Sequence, residues 1–297
     1  MKLGVLNKPF QLRVVRRLTA HSFPHATISH FHSNFFPKEG KSHLNILLRS
    51  RKSVFEQVST FGTVILSILV SLLVSSCAEE QVYREIDPEI EGGSGKIYLG
   101  REIADVMVSE SSYWLDRPER DLEELPTRLL RSLDLTASAV VADIGSGTGF
   151  FAFRLAELVP SGRVYAVEVQ PELVDTLQVR ADRMGVRNVM PILGTIKDPS
   201  LPPNRIDLAL IVSSYHEFSY PKEMISSIVQ SLNPDGRLVI VEYRGEDATI
   251  PIAEAHRMSE AQIILEMESV GLRFRETKDV LPQQHVVVFS LASSGDN

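Results

Sequence analysis

Asp143-Ile144-Gly145-Ser146-Gly147-Thr148-Gly149 is the stretch of this 297-residue sequence whose residue types and spacing imply chemistry most directly. Glycines at 145, 147 and 149 let the backbone turn tightly and approach a ligand closely. A helix beginning after them would present free N–H groups. The apolar run Ala139 to Ile144 reads as a strand, so strand, glycine turn and helix together make an adenine-nucleotide site. A glycine motif alone is weak evidence, and its neighbours sharpen it. A dinucleotide site places pyrophosphate on this loop, which the Asp143 carboxylate would repel. The dinucleotide fingerprint also needs its third glycine at position 150, which is Phe150. Glu168 ends a second apolar run, Val164 to Glu168, 19 residues after Gly149. That is close to the spacing of about 20 for a ribose-binding acid. A ligand with a ribose, no phosphate and a cationic end satisfies all three features. S-adenosylmethionine (SAM), with its ammonium and sulfonium, is such a ligand, and an NAD-dependent oxidoreductase is disfavoured.

Tyr215, His216 and Glu217 follow a third apolar run, 206–212, at the strand edge where ligands bind in this architecture. His216 is placed to remove a proton from a hydroxyl or amine, and Glu217 to orient it or bind a cationic substrate. Methyl transfer from a sulfonium is an in-line displacement, so much of the work is alignment and exclusion of water. Glu242, Tyr243 and Arg244 end a further run on the same edge, and Trp114, Arg117 and Arg120 could form a lid. His256 and His285 stand too far apart in sequence to define a metal site, and no metal is expected. The single cysteine, Cys77, excludes an internal disulfide framework and a cysteine metal cluster.

The elements that must position these groups recur regularly. Candidate strands are 139–144, 163–168, 188–193, 206–212 and 237–243, and candidate helices 149–158, 171–184, 222–232 and 259–270. Pro171 suits a first helical turn, and Ser259 with Gln262 a capping box. This alternation is that of βαβ units on a parallel sheet, an α/β fold. Leu272–Glu276 and His285–Leu291 add a closing hairpin at the sheet edge. Upstream, Tyr98 to Val108 and Leu122 to Leu133 carry apolar residues at helical spacing.

Charge divides the chain. Ten of the 31 Lys/Arg and one of the 38 acids fall in residues 1–54, leaving an acidic remainder. An acidic body disfavours nucleic acid as a partner. Residues 1–60 read as a targeting leader, in the manner of an organellar transit peptide, chloroplast before mitochondrion. Phe61 to Ala78 is an uncharged run of 18 residues, at the lower edge of a membrane span. The alternative is a bacterial lipoprotein signal ending at a lipidated Cys77. Residues 79–96 read as a linker and 97–297 as the folded domain.

With these residues in hand, the chain resembles the class I SAM-dependent methyltransferases over roughly 97–291. It is most similar to a mostly bacterial subgroup of predicted methyltransferases. The shared motifs read Tyr98-Leu-Gly-Arg101-Glu102, Trp114-Leu-Asp-Arg117-Pro-Glu-Arg120, Val141 to Gly149, Ser214-Tyr-His-Glu-Phe218, Val241-Glu-Tyr-Arg244 and Met258-Ser-Glu-Ala-Gln262. The resemblance implies a Rossmann-like, doubly wound seven-stranded sheet, six strands parallel and the last antiparallel. It implies SAM contacts at Asp143, Gly145, Ser146, Gly147, Gly149 and Glu168. Gly194 and Thr195 are implied near adenine, with Asp198 beside them, and Ser213 near the methionine moiety. Tyr98 and Arg101 are implied to close over the pocket. Where the subgroup tends to carry Trp before Gln-His, this chain has Gln283-Gln284-His285, which puts a substrate role for that loop in doubt. The expected function is methyl transfer to a small-molecule acceptor. The alternative is a non-catalytic SAM-binding module at a membrane, and the two differ in turnover.

Overall fold

The computed structural model describes residues 82–292. The leader and the apolar run 61–78 lie outside these residues, as do Cys77 and the start of the 79–96 linker. Among the described residues no helix is long and apolar enough to cross a membrane.

The chain first forms a small antiparallel sheet from β1 (Tyr83–Glu85), β2 (Gly93–Tyr98) and β3 (Arg101–Ala104), in that order. This corrects two sequence expectations, the helix from Tyr98 and the linker up to residue 96. Leu99 and Gly100 both take positive φ, 46° and 91°, and Tyr98 pairs with Arg101 across them. Such a two-residue turn matches the twist of a hairpin and stops a helix. The buried Glu102 carboxylate accepts from the Gly95 and Glu89 amides at 2.8 and 3.1 Å, which pins the preceding loop to the hairpin.

After α1 (Pro126–Ser132) the expected alternation appears. The strands are β4 (Val140–Ile144), β5 (Arg163–Glu168), β6 (Val189–Leu193), β7 (Ile206–Val212), β8 (Leu232–Tyr243), β9 (Leu272–Thr277) and β10 (Gln284–Leu291). The helices are α2 (Phe150–Leu158), α3 (Pro171–Met184), α4 (Pro221–Ser231) and α5 (Glu260–Glu268). The sheet runs β6-β5-β4-β7-β8-β10-β9, with β10 antiparallel to both neighbours and the other six strands parallel.

Both sheet faces are buried, which is why the strands read as continuous apolar runs. Along β7, Leu208, Leu210 and Val212 join Phe151, Leu155 and Leu177 on one face. Ala209 and Ile211 join Ile225, Ile228 and Phe289 on the other. Local signals set the helix ends. Pro171 opens α3, and Gly185, at φ 67°, closes it in the left-handed conformation. Ser259 caps α5 by accepting from the Gln262 amide at 3.2 Å. The Gln262 side chain donates instead to the Leu99 carbonyl and Glu266, so half of the capping box forms. A buried pair completes the join between the small sheet and the body. Arg101 donates to both oxygens of Glu266, at 2.7 and 3.0 Å.

β5 and β6 lie on one side of β4, and β7 and β8 on the other. Chain direction of travel therefore reverses between β4 and β7, which opens a crevice at their carboxyl ends.

Candidate active site

The crevice holds the glycine loop. Gly145, Gly147 and Gly149 all have positive φ, as the sequence implied. The Gly145 and Ser146 amides both donate to the Val167 carbonyl at 2.9 Å, which ties the loop to the end of β5. A Cβ on Gly145 would fall 2.6 Å from the Ser214 hydroxyl, so a side chain there would have to displace Ser214 as well as strain a backbone at φ 72°. Asp143 is buried and accepts from the Ser146 hydroxyl at 2.7 Å. Burial pushes its carboxyl up to about 6, against the opposing pull of that hydrogen bond and of the Arg120 charge. Glu168 accepts from three amides, Gly147 at 3.0 Å, Val169 at 2.7 Å and Gln170 at 3.1 Å. Burial raises its pKa and the three amides restrain the rise. The amide bonds fix the carboxylate's orientation and leave lone pairs for further donors.

A cavity of about 630 Å³ runs from this loop toward β7 and β8, lined by Asp143, Gly145, Gly147, Glu168, Ser213 and His216 among others. That size suits a small-ligand site. The segment 105–117 roofs it. Met107 donates its amide to Glu217 at 3.2 Å and accepts from the Gln170 side chain at 3.0 Å. Asp116 accepts from the Thr148 hydroxyl at 3.1 Å and pairs with Arg180, and Leu115 packs where a Gly147 Cβ would lie. Trp114, Arg117 and Arg120, expected as a lid, all line the cavity. Arg117 stacks on Trp114 at 3.9 Å, and both arginines pair with Glu124, which also accepts from the Tyr243 hydroxyl.

At the far end, the turn Tyr215–Glu217 leaves β7. His216 is buried, and its Nδ1–H donates to the fully buried Glu242 at 2.7 Å. Its Nε2 lies 3.7 Å from Glu217, whose same oxygen is 3.7 Å from His256 Nδ1. Burial lowers the His216 pKa, but the Glu242 and Glu217 carboxylates overcome it and raise it to about 9. Burial and the neighbouring His216 charge lower that of His256.

The structure thus brings Asp143, Gly145, Ser146, Gly147, Glu168, Ser213, His216 and Glu217 to one cavity wall. Other expected residues lie elsewhere. Tyr215 is fully buried, with its hydroxyl on Glu266 at 2.6 Å, so it belongs to the core and not to the catalytic set. Tyr98 is buried against Tyr83 with its hydroxyl near Ser269, and Arg101 is spent on Glu266. Neither lines the cavity. Gly149 starts α2 and packs on Phe153 and Leu177, a structural role. Gly194 and Thr195 stop short of the wall, which their neighbour Ile196 reaches, and Thr195 and Asp198 brace their own turn. Sequence reasoning weighed His256 only against His285, as a metal pair, and set it aside. His256 lines the cavity beside His216, 40 positions away, and no local spacing announces it.

A seven-stranded sheet of this order, with a glycine loop after its first strand and an acid after its second, is the class I SAM-dependent methyltransferase fold. Residues 135–280, just under half the chain, match the methyltransferase domain family. A SAM-dependent methyltransferase from Aquifex aeolicus superposes with a TM-score of 0.60 at 24% identity, covering 63% of this chain and all of that one, and shows the fold. The protein-L-isoaspartate O-methyltransferase of Pyrococcus horikoshii is 28% identical over 147 residues, 50% of this chain and 59% of its own length. That of Aeropyrum pernix is 35% identical over 118 residues, 38% of this chain and 42% of its own length. The chain therefore spans less than two thirds of either relative. The fold is that of the SAM-dependent methyltransferase from Aquifex aeolicus, so SAM is the group to fit to this cavity. The residues present fit that group: carboxylates for the ribose hydroxyls and cationic end, and apolar Val169, Leu173 and Ile196 on the wall.

Proposed function

We propose that the domain transfers the methyl group of SAM to a small-molecule acceptor held between the glycine loop and His216–Glu217. One observation carries this reading. A single roofed cavity joins the loop and Glu168 to a second polar end built of His216, Glu217 and His256. When bound, SAM supplies an activated methyl on its sulfonium, and the chain's residues hold and align the partners. Glu168 accepts from the ribose hydroxyls, with its other lone pairs fixed by the three amides. Asp143 and the backbone of Gly145 to Gly147 meet the cationic methionine end. Ser213, at φ 48° and anchored by the Gln284 side chain, shapes the wall near the transferred group. The roof over 105–117 excludes water, which strengthens the electrostatics inside. His216, held on Glu242, orients the acceptor, and the Glu217 carboxylate takes the proton that the reacting atom loses.

The roof favours a compact acceptor over a chain. The similarity to protein-L-isoaspartate methyltransferases favours a second reading, in which the acceptor is a carboxylate on a protein. Incubating the full-length chain with SAM carrying a labelled methyl and fractionated metabolites or proteins separates the two. Label entering a small molecule is the expected result. Label in protein alone supports the second reading, and no label with SAM bound points to a non-catalytic module.

We also propose that residues 1–78 route this domain to an organelle, chloroplast before mitochondrion, with 61–78 as membrane segment or second signal. The support is the basic, acid-poor leader and the uncharged run after it.

A further inference from the structure

We propose that His216, Glu217 and His256 form a binding site for one divalent transition-metal ion at the acceptor end of the cavity. The three donor atoms lie within 4.8 Å of one another, and each histidine nitrogen is 3.7 Å from the same Glu217 oxygen. Donors on one ion at about 2.1 Å stand roughly 3 Å apart, so small side-chain rotations close the set.

The surroundings already hold these groups as ligands are held. His216 holds its Nδ1–H on Glu242 at 2.7 Å, which leaves Nε2 facing Glu217 and His256, where a metal ion would take the place of the Nε2 proton. A carboxylate behind a histidine in this way orients the ring and raises its basicity as a ligand. The second Glu217 oxygen accepts from the Met107 amide at 3.2 Å, leaving the first to face both rings. Gly92 makes room for the third ligand: a Cβ there would lie 3.0 Å from His256 Nε2. The rings of His216 and His256 meet edge to face, their centroids 4.9 Å apart.

Charge points the same way. Two carboxylates, Glu217 and Glu242, converge on the two imidazoles, and Asp105 lies on the same cavity wall. A cation between them balances that charge. Two imidazole nitrogens and one carboxylate suit zinc, iron, cobalt or manganese better than magnesium or calcium. Three protein ligands leave coordination positions open to the cavity, where an oxygen of the acceptor would bind. That last role rests on the methyl-transfer reading, whereas cation binding does not.

The test uses the full-length chain stripped with a chelator and titrated with Co(II), read by its visible d–d absorption, with Mg(II) as the control and Zn(II) as competitor. SAM binding is measured by calorimetry on the same samples. The expected result is one equivalent of Co(II), displaced by Zn(II) and indifferent to Mg(II). Glu242→Gln should weaken the metal about 10–100-fold, as loss of a supporting carboxylate does elsewhere. The part-exposed His256→Ala should abolish the absorption while SAM still binds, which also shows that the variant is folded. No Co(II) absorption in a chain that binds SAM, or equal absorption in wild type and His256→Ala, overturns the proposal. Failure to bind SAM would count against the methyl-transfer reading instead.

Discussion

Asp143 couples the glycine loop to pH. Its carboxyl is buried and pushed up to about 6. A native pKa above the unfolded one means that the folded state holds the proton more tightly. The stability this contributes, roughly 3 kcal/mol, is complete below about pH 4 and lost as pH rises through about 6. Asp143→Asn stays neutral, so denaturant unfolding of the variant should show a flatter dependence across that window. A cationic ligand acts in the opposite sense, because it favours the carboxylate. Wild-type SAM affinity should therefore rise through about pH 6, and that of Asp143→Asn should not. At Gly145 the constraint is steric. Gly145→Ala would place a Cβ 2.6 Å from Ser214 at a φ of 72°. Thermal melts should show a loss of about 1–3 kcal/mol, the usual cost of such strain. An unchanged melting temperature would mean that the loop relaxes freely.

At the scale of elements, polar ties hold the roof segment 105–117 to the body, among them Met107 to Glu217 and Gln170, Asp116 to Thr148 and Arg180, and Arg117 to Glu124. Asp116→Ala should change global stability by about 1 kcal/mol or less, since the ion pair is part-exposed. It should also speed proteolysis within 105–117, and SAM should protect the wild type more than the variant. Equal cleavage rates would show that Asp116 does not hold the roof. The strands and helices from Val140 onward were legible because both sheet faces are buried and glycine, proline and Ser259 punctuate the helices. The β2–β3 hairpin was not. Its turn is Leu99-Gly100, with a leucine at positive φ where asparagine or aspartate would have announced it. Tyr98 and Tyr215 were misplaced for a related reason. Neighbouring residues in a hairpin or tight turn face different ways, so Tyr215 enters the core while His216 meets the cavity. His256 was illegible because only the packing of β8 and the segment after it brings it to His216.

For the whole molecule, the strand order opens one cavity at the β4–β7 crevice that reaches from the glycine loop to His216 and Glu217. Residues 1–54 are basic and the rest of the chain is acidic, which motivates the proposed targeting role. A fluorescent fusion of residues 1–78 should leave the cytosol for an organelle. A diffuse signal would defeat both the transit and the lipoprotein reading, and a mature terminus at a modified Cys77 would favour the latter. The claim on which the rest depends is that the glycine loop and Glu168 hold SAM. Calorimetry of the full-length chain tests it most directly. SAM and S-adenosylhomocysteine should both bind the wild type. Affinity should be about 10–100-fold weaker in Glu168→Ala, which loses charge-assisted hydrogen bonds to the ribose. Binding of neither ligand, or tight NAD binding in their place, would contradict it.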